Sequence, residues 1–389
     1  MDWQQAKQVD GGVQIPDRWL HLHYYEALNI LFRFENALRV FVYVILKREF
    51  LDEWDTAAIT GGGTIRSETK KRLSQAKDHG YLGYGVSSPM LFLNSGEILQ
   101  VLTSDAYWKH FARYFKASKA IVETKLQEIG TVRNALAHFR PIKPEDIDLV
   151  KQNSRHVLLE VERCLTEVTS ISDTMPTNSK EDWYSRIMTI GNEHISTSLF
   201  ASTDHEWVRI ELSYTVETLS SEKYGDDFLY MKVSNFRTER LLKDFDTLRN
   251  KCIFVSELEP RGSITGSESL ASKRRISIVF SRERLVESLD AIVQDLEKIA
   301  EVSKTETSLV SQDNLAKGDL IEVKVVTAQA TSKDQSIEWS VNMRSLATQL
   351  ANADHAEFWG QRTHYSSDFI AGTDQYPWMP AKIAKTSWY

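Results

Sequence analysis

The sequence predicts two architectures in one chain: an N-terminal all-α helical bundle, then a C-terminal α+β domain with mainly antiparallel strands. Three observations carry this expectation. Apolar residues recur at three- and four-residue spacings as far as Thr169, the period of a buried helix face. The turn-rich stretch Met175-Pro176-Thr177-Asn178-Ser179 then interrupts the chain. Beyond it, Val208, Ile210, Leu212, Tyr214 and Val216 alternate with polar residues, as in a strand with one buried face. The expected division is a bundle over 1–172, a linker over 173–181 and an α+β domain over 182–389 with an aromatic tail.

The elements follow in order. A first helix is expected from Asp17 or Arg18 to Phe50, with Ala27, Leu31, Phe34, Leu38, Phe41, Val42 and Ile45 among its apolar positions. Glu35 and Arg39 lie four apart on it and face each other, as an ordinary intrahelical ion pair or as part of a site. Gly61-Gly62-Gly63 lacks the following Lys-Ser/Thr of a phosphate-binding nucleotide motif and reads as a loop before a charged helix, Ile65 to His79. Shorter helices are expected over Glu97 to Leu102 and Asp105 to Phe115, and long ones over Ala117 to Phe139 and Pro144 to Thr169. Pro144 with Glu145 and Asp146 behind it suits a helix start, where the missing N–H is not needed and the dipole favours acids.

In the second half a short helix from Asp182 precedes strands near Val208, over Phe228 to Val233, Ile253 to Ser256 and Ile276 to Phe280. Leu320 to Ala328 and Ile337 to Met343 read as a hairpin. Between these sets runs a helix, Arg282 to Val302, whose Leu285, Leu289, Ile292, Leu296 and Ile299 suit packing on a sheet, or a short coiled-coil seam.

Composition narrows the function. At 42% hydrophobic and 26% charged the chain is globular, and a net charge of −7 argues against holding nucleic acid by global electrostatics. Any such contact has to be local. Cys164 and Cys252 are too few for a disulfide framework or a four-ligand zinc site. No apolar run reaches the roughly 18 residues of a membrane span, and the first residues lack the parts of a signal peptide, so a cytoplasmic protein is expected.

The stretch that stands out is Arg133-Asn134-Ala135-Leu136-Ala137-His138. At about 100° per residue, Val122, Leu126, Ile129, Val132 and Leu136 form one apolar stripe, and Arg133 falls inside it. A guanidinium there needs a carboxylate such as Glu35, a wet cleft or an anionic ligand. His138 lies roughly 140° further round and does not share Arg133's face on a regular helix, so the helix end or a two-fold partner has to bring the two together.

Arg-Asn, three residues and His at the end of a long bundle helix, together with Phe34-Glu35-Asn36-Ala37-Leu38-Arg39 in the first, resembles the HEPN superfamily (higher eukaryote and prokaryote nucleotide-binding domains), in its toxin and abortive-infection branch. The resemblance covers about residues 18–172 and none of the second half. It implies a metal-independent endoribonuclease, in which the substrate's 2′-OH attacks phosphorus to leave a cyclic phosphate, without a cofactor. It further implies His138 as proton-transfer group, Arg133 as stabiliser of phosphoryl charge and Asn134 as an orienting group, with Glu35, Arg39 and Arg140 supporting. The implied partners are RNA, a second copy of the chain through the bundle, and an antitoxin or phage-derived trigger. The alternative is a non-catalytic dimeric adaptor or RNA-binding scaffold of the same fold.

Three further features receive plainer readings. The tail aromatics, Trp359 to Tyr389, suit docking on the body better than base stacking, since few basic residues interleave them. His355 and His364 match no metal-ligand spacing. Lys273-Arg274-Arg275, with Arg282 and Arg284, reads as a solvated turn face or a phosphate contact.

Overall fold

A computed structural model of the chain describes residues 7–10, 12–14, 22–79, 89–169, 180–258, 260–313, 315–333, 336–348 and 358–362. The expected linker up to residue 179, the two histidines His355 and His364, and all of the aromatic tail beyond residue 362 lie outside the described residues.

The chain is a mixed α+β protein. Its first half opens with an antiparallel ribbon, β1 (Lys7–Val9) and β2 (Gly12–Gln14), which corrects the all-helical expectation. Strands of three residues are too short to register a period of two, although Asp10-Gly11 is a hairpin-turn dipeptide. The helices follow as α1 (Leu22–Phe50), α2 (Ile65–His79), α3 (Ser95–Thr103), α4 (Trp108–Phe111), α5 (Lys119–Ala137) and α6 (Pro144–Thr169). The expected helix over Asp105 to Phe115 is shortened to α4 and one 3-10 turn, Ala112–Tyr114. Its aromatics pack on α1, with the Phe111 and Phe115 rings 5.7 and 6.0 Å from that of Phe41.

α1 is the axis of this half. From Val40 to Leu46 every residue is completely or almost completely buried, so this stretch is enclosed on all sides rather than along one stripe. α3, α5 and α6 surround it. The stripe expected on α5 faces inward, with Val122, Leu126, Ile129, Val132 and Leu136 buried.

The second half contributes α7 (Asp182–Met188), β3 (Ile195–Ala201), β4 (Trp207–Thr215), β5 (Thr218–Tyr224) and β6 (Phe228–Phe236), then α8 (Thr238–Asp244) and α9 (Asp246–Lys251). There follow β7 (Phe254–Leu258), β8 (Gly262–Ile264), β9 (Leu270–Ser281), α10 (Arg282–Glu287), α11 (Leu289–Gln312), β10 (Ile321–Lys333), β11 (Ser336–Asn342) and β12 (Phe358–Arg362). One sheet has the order β11-β10-β6-β5; the other runs β12-β7-β9-β4-β3, with β8 also on β9. Pairing is antiparallel except for β12 beside β7. The expected helix from Arg282 is divided at Ser288 (φ −117°, ψ 22°) and continues to Gln312. Leu285, Leu289, Ile292, Leu296 and Ile299 are buried in one core with β4 and β9, so the stripe covers a sheet and is not a coiled-coil seam.

Lys273-Arg274-Arg275 is not a turn. It lies within β9, where Lys273 and Arg275 are exposed while Arg274 is buried to 1% beside the fully buried Glu257. Burial pushes the Glu257 carboxyl up, but the Arg274 charge and the hydrogen bonds to the carboxylate together outweigh it and hold the group below its ordinary range. Thr348 adds hydrogen bonds from its N–H (3.2 Å) and Oγ1 (2.6 Å). The two halves also meet directly. Tyr43 OH donates to the Ile253 carbonyl, Lys47 Nζ to that of Arg249 (3.0 Å) and Arg284 Nε to that of Arg48 (3.0 Å). Trp207, Ile253, Phe254 and Val279 belong to the same apolar cluster as α1.

Removing one partner of the enclosed pair leaves an uncompensated charge, so Arg274→Met is expected to lower unfolding free energy by about 3–5 kcal/mol, and Arg274→Met with Glu257→Met to recover most of it. Because the folded Glu257 is depressed, its contribution is present above the unfolded carboxylate range and is lost as pH falls through the folded value. Urea melts as a function of pH check both: the double variant loses less stability on acidification than the wild type.

Candidate functional site

The site is built on a helix interior, a helix start and a helix end. α1 carries Glu35 and Arg39 one turn apart. α3 begins in a capping box: the Asn94 side chain accepts from the Glu97 N–H (3.0 Å), and the Glu97 carboxylate accepts from the Asn94 N–H (2.9 Å). This fixes Ser95 and Gly96 at the mouth between α1 and α5. Arg133 and Asn134 come from the C-terminal part of α5.

These elements enclose a cavity of about 630 Å³. Its α1 wall is Leu31, Phe34, Glu35 and Leu38; Asn94, Ser95, Gly96 and Leu99 come from the α3 side; α5 supplies Leu126, Gln127, Gly130, Thr131, Arg133 and Asn134. The volume falls within the roughly 300–1,000 Å³ of small-molecule sites. An apolar floor with a few convergent polar groups is the usual composition of such sites.

Glu35 organises the polar end. One carboxylate oxygen accepts from Arg39 Nη2; the other accepts from Ser95 Oγ and stands 3.6 Å from Arg133 Nε. Arg39 also donates to Asn36 Oδ1 (3.0 Å) and to the Leu93 carbonyl (3.1 Å). Arg133 Nη1 lies 3.4 Å from Asn134 Oδ1. One carboxylate therefore serves two guanidiniums, and the cluster keeps one net positive charge at the cavity. Burial lowers the Arg39 pKa, Glu35 works against this, and the nearby charge of Arg133 lowers it further. Arg133 is the accessible member, with 36% of its side chain exposed against 13% for Arg39 and 17% for Glu35.

The structure thus brings Glu35, Arg39, Arg133 and Asn134 to one cavity. It does not bring His138 there. That residue caps the C-terminus of α5 and is exposed, with its N–H on the Asn134 carbonyl (3.1 Å), and it is not part of the cavity wall. The chain then turns: the Phe139 N–H reaches the Leu136 carbonyl (3.0 Å) and that of Arg140 the Ala135 carbonyl (2.8 Å), as in a Schellman motif. The left-handed position is usually glycine, yet here it is Phe139, with φ 54° and 90% exposed. The Arg140 side chain is also exposed, and its carbonyl accepts from Tyr24 OH (2.8 Å).

Reading the sequence overlooked Ser95, Asn94 and Gly130. The first two were within reach, because Asn94 followed three residues later by Glu97 is a capping box that starts α3 two residues before Glu97. Gly130 carries a different signal. A glycine inside a helix costs about 0.5–1 kcal/mol relative to alanine, so it asks for a reason. Among the described residues no group of three or more His, Cys, Asp or Glu could hold a metal ion, and no helix is long and apolar enough to cross a membrane. No protein-family model, curated protein or solved structure matches the chain.

Glu35→Gln keeps the shape of the polar end but removes the charge that the largely enclosed Arg39 depends on, so a loss of about 1–3 kcal/mol is expected. Arg133→Gln, at a more exposed group, is expected to cost under about 1 kcal/mol. Urea unfolding of the two variants checks the order; equal losses would make Arg133 as much a structural residue as Glu35.

Proposed function

We propose that the chain is a metal-independent endoribonuclease whose site is the cavity among α1, α3 and α5. The observation that carries the reading is the shared carboxylate: Glu35 holds two guanidiniums, and Arg133 stands at an accessible cavity with positive charge to spare. A phosphodiester is the polymeric anion such a charge suits, and Arg presents paired N–H donors to it. The pattern Arg133-Asn134 with His138, and its resemblance to the HEPN superfamily, supplies the reaction. The substrate's 2′-OH loses its proton and bonds to phosphorus as the bond to O5′ breaks and O5′ takes up a proton. His138 handles a proton, Arg133 meets charge on the non-bridging oxygens and Asn134 orients one of these groups.

Since His138 is outside the cavity wall of its own chain, the proposal includes a homodimer in which the imidazole of one copy serves the Arg133 of the other. The C-terminal α+β half would select RNA or sense a phage-derived trigger or an antitoxin, making the protein a toxin or defence effector. A cytoplasmic setting, where the buried Cys164 and Cys252 stay reduced as thiols, belongs to the same proposal. A non-catalytic dimeric adaptor or RNA-binding scaffold is the second reading. It is favoured by the same separation of His138 from the cavity wall.

Incubation of RNA with the protein in EDTA tests the first reading. Cleavage to cyclic phosphate ends is expected, with losses of about 100-fold or more for Arg133→Ala and for His138→Ala. Intact RNA in the presence of candidate triggers would favour the scaffold, and a requirement for added metal would refute the mechanism. Mixing the two inactive variants is expected to restore about a quarter of the wild-type rate, because half of the dimers then carry one intact composite site. No recovery would place both groups in one chain.

A further inference from the structure

Gly130 is the residue of α5 that packing does not explain. It sits mid-helix, with Leu126, Gln127, Arg133 and Asn134 three or four positions away on the same side, and it lines the cavity. A Cβ placed on it meets no heavy atom within 4 Å, and its φ is not in the left-handed region. Neither crowding nor backbone geometry calls for glycine, which apart from proline is the least favourable residue for a helix interior. What the missing side chain does is leave the α5 backbone bare at the cavity wall, so that a ligand can approach it closely.

Phe34 and Leu38 of α1 line the same cavity. The space therefore combines apolar side chains with bare backbone, and Arg133 stands at its polar end. Two lining amides keep complementary groups among the described residues: Gln127 donates Nε2 to Glu123 (3.3 Å), leaving an acceptor oxygen, and Asn94 spends its oxygen on the Glu97 N–H, leaving an NH2 donor. A flat heteroaromatic ring joined to an anionic group has this combination of faces, edges and charge. RNA-reading proteins take unpaired bases in this way, on an apolar or aromatic face with amides at the edge.

We propose that the cavity over Gly130 is a base-reading subsite: it takes one unpaired nucleobase of an RNA strand between Phe34 and the Gly130 backbone, with the adjoining phosphate at Arg133. Gln127 and Asn94 meet the edge of the base and set its identity. This rests on the reading of the cavity as an RNA site.

The test uses the full chain and calorimetric titration with nucleoside 3′-monophosphates and with ribose 5-phosphate. The wild type is expected to bind at least one nucleotide tenfold or more tighter than ribose phosphate. Gly130→Leu, which fills the space, and Gly130→Ala, which suits the helix, keep the wild-type circular dichroism. Gly130→Leu is expected to lose that tenfold preference while ribose phosphate binding changes less than twofold; Gly130→Ala loses less. Equal binding of nucleotide and ribose phosphate by the wild type, or an undiminished preference in Gly130→Leu, would overturn the proposal. A second arm titrates His138→Ala with an oligoribonucleotide and with versions abasic at single positions. A tenfold loss confined to one position is expected, and no loss at any position would overturn the assignment to an RNA strand even if free nucleotides bound. The two readings fail separately. Base-dependent binding without cleavage in EDTA would sink the ribonuclease alone, whereas cleavage with unchanged site choice in Gly130→Leu would sink the base subsite alone.

Discussion

A single carboxylate shared by two arginines is the constraint on which the candidate site depends. Glu35 accepts from Arg39 and Ser95 and faces Arg133, thereby tying α1 to the start of α3 and to the end of α5. Arg39 is too enclosed to go without a counter-charge, and it takes up one carboxylate oxygen. Arg133 receives the remainder, at a distance longer than a hydrogen bond. The result is a guanidinium held in place but incompletely neutralised, beside a space that a ligand can enter.

That arrangement is anchored because α1 is itself fixed at its other end. From the fully enclosed stretch Val40 to Leu46, Tyr43 reaches the Ile253 carbonyl just before β7; Lys47, next along, reaches the Arg249 carbonyl in α9, and Arg284 of α10 reaches back to the carbonyls of Arg48 and Glu49. Arg113 and Glu206 add a two-point ion pair, 2.9 and 2.7 Å, across the same boundary. One rigid helix thus has the cavity near its middle and the α+β half at its C-terminal end.

Much of this was legible in the sequence, for reasons specific to each element. α2 and α6 were delimited correctly because a glycine run and Pro144 mark their starts, and the α5 stripe because its five apolar positions keep the helical period. Arg133 stood out because charge interrupts that stripe. The coincidence of Glu35 with Arg133 was open only as one possible pairing, since a helical wheel places residues on a face but not helices beside one another. Short or irregular elements escaped: β1, β2 and β8 are three residues each, and the break at Ser288 has no proline or glycine to announce it. Arg274 was misread because its neighbours Lys273 and Arg275 suggested a solvated basic run; in a strand, alternation turns the middle residue inward to Glu257.

The central claim is that RNA reaches the cavity around Glu35 rather than the exposed Lys273 and Arg275 of β9. Photo-crosslinking of a 4-thiouridine RNA to full-length His138→Ala protein, with the attached peptides identified by mass spectrometry, addresses it most directly. Adducts are expected on the cavity walls, in α5 between Gln127 and Asn134 and around Phe34. Adducts confined to β9, near the exposed Lys273 and Arg275, would contradict the account.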